Sequence, residues 1–451
     1  MRKGMALALT LLAAGLAALA GPRLVVDPEV YDFGTVAEGL LVETTFTLRN
    51  VGDAPLIFTK PFSGSIGLKI GNPSSVVIPS GGRAYLEIAF DTSGWKGMEI
   101  EKRSWTYVQA GEIKNAAAWI PVLNGFHGVG VSKALEVEGV VEFLKLLFGP
   151  EQLKEVLHNP KFLALIFSWK ASETEWYMFV DPFSDPSIKK ALFYIRKDGG
   201  KLEFSTLVKG PTLKGRVRER APYEVSTGHL LYDWGLLLID VRSREEFVLN
   251  HLLGAINIPA EELDAWLTRL PRLYWIVLYD NDGWKAEDVV GKLEEVGSTS
   301  GRMVVFLAGG LCEWLHTIGD NFIVWAPGTK HEISCRFPWL WGGISCEHLL
   351  DIYCLVVDLR SHDEFEDGHL PGALNIEPEE IPEWVATLPP TGDTGVRIIC
   401  LDYDGGSASD TAAWLRAHGY PQSSYVVGGF RDLLRHKKWG LYDITLWTGS
   451  D

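Results

Sequence analysis

From about Leu24 to Val131 the apolar positions alternate with polar ones in short runs, as in "LVETTFTLRN" (41–50) and "AYLEIAF" (84–90), separated by turn clusters at 51–55 ("VGDAP") and 79–82 ("PSGG"). Period-two runs bounded by Gly and Pro have one buried face, and a succession of them predicts a β-sandwich over 21–131. Residues 132–209 mix two patterns. "GVVEFLKLLFGPEQLKEVLHN" predicts two short helices broken at Gly149-Pro150, and "ALFYIRKDGGKLEFSTL" predicts a hairpin turning at Asp198-Gly199, together a small α+β segment of unassigned role. The basic stretch that follows, rich in Gly and Pro, reads as a solvated linker over 210–222 rather than an anion site.

The rest of the chain repeats itself. "LLLIDVRSREEFVLNHLLGAINIPAEELDAWLTRLP" (236–271) lines up without gaps on "CLVVDLRSHDEFEDGHLPGALNIEPEEIPEWVATLP" (354–389), matching Asp240 to Asp358, Arg242 to Arg360 and His251 to His369. Further on, "LYDNDGWKAEDVVGKLEEVG" falls on "LDYDGGSASDTAAWLRAHG" and "FLAGGLCEWL" on "YVVGGFRDLL". Each unit runs strand, loop, helix, strand, helix, strand, which predicts two α/β domains with parallel sheets, at 223–327 and 344–451. The aromatic-rich connector between them, 328–343, is expected to pack the two together or to offer a groove to a partner.

With 451 residues the chain has room for several domains, and its net charge of -16 and pI near 5.2 disfavour binding to nucleic acid or to an anionic membrane surface. Arg2 and Lys3, the apolar run Met5 to Ala20 and the small-x-small Ala18-Leu19-Ala20 predict a cleaved signal peptide over 1–20, hence an extracytoplasmic protein, periplasmic or secreted. No later stretch is long and apolar enough for an integral span, and no cysteine follows the run to carry a lipid anchor. The five cysteines, at 312, 335, 346, 354 and 400, are too few and too clustered for a disulfide framework. Cys335 and Cys346 share an irregular stretch and are a candidate pair, while Cys354 and Cys400 lie in strands as buried thiols.

The phrases "VYDFGTVAEG", "FTLRNVGDAPL", "IPSGG" and "AFDTSGWKG" resemble, in this order, the bacterial Hydin-like immunoglobulin family of exported proteins. That resemblance implies a structural or interaction domain. The cysteines that members commonly carry after the "APL" strand are absent here, where "FTKPFSGSIG" stands. The repeated unit, "IDVRSREEF…H..GAINIP", then strand, loop and helix, then "GG…W", resembles the rhodanese (sulfurtransferase) family, twice over. The family's loop opens on a cysteine whose thiolate or persulfide is stabilised by loop N–H groups and a helix N-terminus. Counting back thirteen residues from Leu293 and Leu415 puts Asp280 and Asp402 in that place. The usual loop arginine and serine are replaced by Lys285-Ala286 and Ser407-Ala408. By the same resemblance Asp240, Arg242, Asp358 and Arg360 brace the loops.

No catalytic residue is assigned. The carboxylates of Asp280 and Asp402 are expected to act as plugs with lowered pKa, accepting hydrogen bonds in cradles formed by Asp280, Asp282, Gly283 and Lys285 and by Asp402, Asp404, Gly405 and Ser407. The function that follows is binding or scaffolding by inactive domains, with an unidentified protein partner. Two alternatives stand beside it. One is transfer of thiosulfate or persulfide sulfur through another thiol, Cys400 or Cys312. The other is chemistry with a divalent metal, Ca or Mg, at the Asp-x-Asp-Gly loops. "VLYDNDG" and "CLDYDGG" also look like the first motif of haloacid dehalogenase-like phosphatases, whose other motifs are not in place. His251 and His369 are read as packing residues, and His331, His348, His362 and His418 show no metal-ligand spacing.

Overall fold

The structure is a computed structural model, and it describes residues 21–61, 66–73, 75–113, 127–129, 164–170, 175–182, 191–198, 201–295, 303–329, 333–336, 342–388 and 397–449. The chain divides into two compact units, one of residues up to 216 and one of residues 217–451 that also takes in the turns 36–41 and 92–97. The signal peptide expected over 1–20 and the two helices expected over 139–159 lie outside the described residues.

The first unit is built of strands: β1 (Leu24–Asp27), β2 (Val30–Ala37), β3 (Leu41–Asn50), β4 (Leu56–Thr59), β5 (Leu68–Ile70), β6 (Ser75–Ile78), β7 (Arg83–Asp91), β8 (Glu99–Ile113), β9 (His127–Val129), β10 (Ala164–Lys170), β11 (Glu175–Pro182), β12 (Ala191–Asp198) and β13 (Lys201–Arg218). One sheet has the order β1-β3-β7-β5 and the other begins β6-β4-β8-β13, with β2 also on β13. The alternation seen in the sequence sends Phe46, Leu48, Leu86, Ile88 and Phe90 inward, where with Leu56 and Phe58 all are at most 1% exposed. This is an immunoglobulin-like sandwich.

Two expectations change here. Residues 210–218 are not a linker but the end of β13, paired antiparallel with β8 from Thr212↔Arg103 to Arg216↔Glu99. Period two holds in this stretch: Leu213 and Val217 are buried while Lys214, Arg216 and Arg218 face out, and Pro211 falls in the register shift between Lys209 and Thr212, where no ladder donor is needed. Nor do the described parts of 132–209 form a separate α+β segment. Beyond β13 the sheet continues β12-β11-β10-β9, and β12 returns into β13 with Asp198 opposite Lys201, the expected hairpin.

In the second unit the first repeat comprises β14 (Glu224–Val225), α1 (Thr227–Tyr232), β15 (Leu236–Asp240), α2 (Arg244–Leu249), β16 (Asn250–Leu252), β17 (Ala255–Asn257), α3 (Leu263–Trp266), β18 (Trp275–Tyr279), α4 (Trp284–Glu295), β19 (Met303–Phe306), α5 (Gly310–Thr317) and β20 (Ile323–Trp325). The second comprises α6 (Cys346–Ile352), β21 (Cys354–Asp358), α7 (His362–Asp367), β22 (Leu374–Asn375), α8 (Ile381–Val385), β23 (Arg397–Leu401), α9 (Gly406–Ala417), β24 (Ser424–Val426) and α10 (Gly429–Lys438). Each repeat has a parallel sheet, with orders β17-β15-β18-β19 and β14-β24-β23-β21-β22, and β16 pairs antiparallel with β20 apart from them. Ser243 and Ser361 start α2 and α7 with capping boxes closed by Glu246 and Glu364.

The two repeats are not self-contained as the boundaries 223–327 and 344–451 suggest: each lends the segment that opens it, a short strand or a single bridge, to the sheet of the other. β14 pairs with β24 of the second repeat, Glu224 opposite Tyr425 and Val225 opposite Val426. Reciprocally, Ile344, just before α6, bridges in parallel to Leu307 of the first repeat. The helices follow their strands. Leu349 and Tyr353 are buried with Leu238, Val277, Tyr279, Leu307, Leu311 and Trp314 of the first repeat. Leu230 and Leu231 share with Val426, Phe430 and Leu433 of the second repeat a core that also takes in Leu237, Ile276 and Leu278 of the first. The Thr227 hydroxyl donates to Asp432 Oδ2 at 2.9 Å inside this contact, and Tyr353 Oη donates to the Leu253 carbonyl at 2.6 Å. One interior therefore serves both repeats.

Candidate functional site

In each repeat the strand that ends at Tyr279 or Leu401 runs into the Asp-x-Asp-Gly loop, and α4 or α9 starts just after the glycine. Gly283 and Gly405 have φ of +88° and +95°, a region that only glycine enters at little cost, and this turns the loop back on its first residue. The second turning point is the Gly-Gly pair before α5 and α10. A Cβ on Gly310 or Gly429 would come 2.4 or 2.6 Å from the carbonyl oxygen of Asp280 or Asp402, so the helix can lie against the loop only if that residue is glycine. The contact is hydrogen-bonded in both repeats. Leu311 and Cys312 N–H groups donate to the Asp280 and Asn281 carbonyls at 3.0 and 2.9 Å, and Phe430 and Arg431 to those of Asp402 and Tyr403 at 2.8 and 2.9 Å.

The two leading aspartates sit in the cradles themselves. Asp280, 5% exposed, accepts from Gly283 N–H at 2.5 Å on one oxygen and from Lys285 N–H at 2.7 Å on the other. Asp402, 7% exposed, accepts from Gly405 N–H and, at 3.0 Å, from Ala408 N–H. Each carboxylate thus gathers N–H groups of the loop and the first helical turn, the donors that a bound anion would otherwise find. The pKa expectation is corrected for Asp280. Burial raises its pKa above the ordinary carboxylate value, outweighing the N–H donors of Lys285, Gly283 and Ala286, and the charge of Asp282 adds to the rise.

The other candidate residues fall around these two. Asp282 is buried, accepts from Trp284 N–H at 3.4 Å and lies 3.7 Å from the Arg336 guanidinium; Asp404 is exposed and accepts from Gly406 N–H at 3.2 Å. The Lys285 ammonium points to Glu261, 3.9 Å away, and Ser407 is exposed. Among the described residues no group of three or more His, Cys, Asp or Glu side chains converges as metal ligands. Arg242 and Arg360 make buried ion pairs with Asp240 and Asp358, each 2.6 Å at the closest. Their reach differs: Arg242 donates to Asn281 Oδ1 in the loop at 2.9 Å, whereas Arg360 donates to the Gly368 carbonyl and stacks 3.6 Å over the Phe430 ring. His251 and His369 each place Nδ1 within 2.9 Å of the carbonyl four residues back and stack on Phe247 and Phe365.

Cys335 pairs with Cys312, not with Cys346. Cys346 opens α6 inside the shared core, where the exchanged helix carries it away from the connector. Burial pushes the Cys346, Cys354 and Cys400 thiols up to about 12, and all three are free and buried. Asn281, Phe430, the disulfide and the exchanged helices were not singled out in the sequence. The helices had a signal: "VSTGHLL" (225–231) and "ISCEHLL" (344–350) extend the repeat upstream, and Ser226 and Ser345 cap them alike.

A rhodanese-like domain model matches residues 228–317 and 339–436, and a HYDIN/CFA65/VesB-like, Ig-like domain model matches residues 22–107. Thiosulfate sulfurtransferase GlpE of Stutzerimonas stutzeri is similar at 29% identity over 82 residues, 18% of this chain and 71% of that protein. Among solved structures, a thiosulfate sulfurtransferase from Pseudomonas aeruginosa is similar at 23% identity over 49% of this chain and 42% of its own, with a TM-score of 0.19. A rhodanese-related protein from Thermoplasma volcanium is similar at 19% identity over 21% of this chain and 82% of its own, with a TM-score of 0.17. Among the described residues no helix is long and apolar enough to cross a membrane. The chain carries two rhodanese-like domains, at 228–317 and 339–436, behind a HYDIN/CFA65/VesB-like, Ig-like domain at 22–107.

Proposed function

We propose that the tandem is a catalytically silent rhodanese-like module of an exported protein, retained to bind or scaffold a protein partner. The observation that carries this reading is the seat of Asp280 and Asp402. A carboxylate at the centre of each cradle holds the N–H groups that a thiolate, a persulfide or a substrate anion would need. A carboxylate does not take up sulfane sulfur as a thiolate does, and the cysteines offer no substitute: one pair is a disulfide and the other three are buried. In this reading Asp240, Arg242, Asp358 and Arg360 hold the loops in shape. Export is supported by the leader-like residues 1–20 and by the disulfide, which suits an oxidising compartment.

The test is thiocyanate formation from thiosulfate and cyanide by the purified protein. The expected rate is that of the protein-free blank, and Asp402→Cys, which restores a thiol to the more exposed loop, is expected to raise it. Turnover by the unaltered protein that is lost in Cys312→Ser or Cys400→Ser would replace this reading with sulfur transfer through that cysteine.

A further inference from the structure

The connector meets the first loop at one point. Cys335 is bonded to Cys312 with Cα atoms 5.7 Å apart, and Arg336 beside it lies 3.7 Å from Asp282. Cys312 is in the first turn of α5, the turn whose N–H groups hold the carbonyls of Asp280 and Asn281. The two sulfurs are unlike in access, since Cys312 is 2% exposed whereas Cys335 is exposed. The Arg336 side chain is 86% exposed, so solvent screens its ion pair and the covalent bond is what keeps this stretch against the loop. Among the described residues the second repeat has no counterpart. Arg431 stands at the place of Cys312, and Tyr403 and Asp404 of its loop are exposed.

We propose that Cys312–Cys335 is a thiol-exchangeable latch, opened by an external dithiol, that fixes residues 334–336 on the first loop while the second loop stands open. Ile333 packs against the core beneath, so release begins at Ser334. The thiolate of the dithiol attacks the exposed Cys335 sulfur and forms a mixed disulfide. The Cys312–Cys335 bond breaks, and Cys312 leaves with the electron pair and takes a proton from solvent. The second thiol of the reagent, deprotonated, attacks its own partner sulfur and expels Cys335, which is protonated in turn. The dithiol ends as a disulfide, oxidised by two electrons, and the protein gains two thiols. The proposal does not depend on the tandem being silent in catalysis.

The test uses the full chain in dithiothreitol and its oxidised form at set ratios. Alkylation and mass spectrometry read the two thiols, circular dichroism reads the fold, and limited trypsin digestion reads cleavage after Arg336. The expected result is reversible reduction of this pair with secondary structure intact, and cleavage after Arg336 faster by roughly tenfold or more when reduced. Cys312→Ser with Cys335→Ser should be cleaved at that faster rate without reductant. A bond that resists dithiothreitol until the protein is unfolded in guanidinium overturns the proposal, and so does reduction that leaves the cleavage rate unchanged. The wild-type titration decides alone if the double variant does not fold.

Discussion

Leu349→Ala perturbs a side chain that belongs to the second repeat in sequence and to the first in space. Leu349 is 0% exposed, in a cluster with Leu238, Val277, Leu307, Leu311 and Trp314. Truncating a fully buried leucine costs about 2–5 kcal/mol, from lost transfer energy and from the cavity left behind. Alanine keeps the helix propensity of α6, so packing alone sets the loss. In a unit of this size each kcal/mol lowers the thermal midpoint by about 2–4 °C, which predicts a fall of roughly 4–20 °C. The location of the damage is the sharper readout. Hydrogen exchange followed by mass spectrometry should show faster exchange in β18 and β19 of the first repeat, and Leu230→Ala in α1 should do the same to β23 and β24 of the second. Loss of protection in β21 and β23 after Leu349→Ala, with β18 and β19 unchanged, would refute the reciprocal exchange.

Burial raises the Asp280 pKa above its unfolded value, so the folded state holds that proton more tightly. The stability it contributes is full below the unfolded pKa and is lost as pH rises through the folded one. Urea unfolding midpoints followed upward from about pH 4 should therefore decline less steeply in Asp280→Asn than in wild type, and equal slopes would contradict the assignment. Asp402→Ala leaves the Gly405 and Ala408 N–H groups without their carboxylate and should cost about 1–3 kcal/mol. Thiosulfate or sulfate should recover part of that midpoint in the variant and leave wild type unmoved, whereas equal stabilisation of both would show that the cradle was never filled. With thiols pushed up to about 12, Cys346, Cys354 and Cys400 hold roughly one thiolate in ten thousand at pH 8, so iodoacetamide should label none of them until guanidinium is added. Labelling of the native protein would place one of them within reach of substrate.

The features readable in the sequence are those whose cause is local. Alternation over 41–50 and 84–90 sets which side chains face the sandwich core, because successive side chains of a strand take opposite faces. The seats of Asp280 and Asp402 are local too, since their donors lie three to six residues further on. What the sequence hid depends on distant partners. The end of β13 resembled a linker because its outward residues are Lys and Arg and because Pro211 sits in a register shift, while the strand that pairs with it is remote. Cys312 was recognisable only as a thiol, and its bond to Cys335 depends on the path of the connector back to α5. The number of N–H donors around Asp280 could be anticipated, but its burial could not, and burial decides the sign of the shift. The exchange of β14–α1 for α6 is the extreme case. "VSTGHLL" and "ISCEHLL" specify the same apolar lead-in and Ser-capped helix, so the motif cannot say which sheet each completes. That choice falls to the packed interior that both repeats share, where Leu349 is buried in one cluster with Trp314 and Leu230 in another with Phe430.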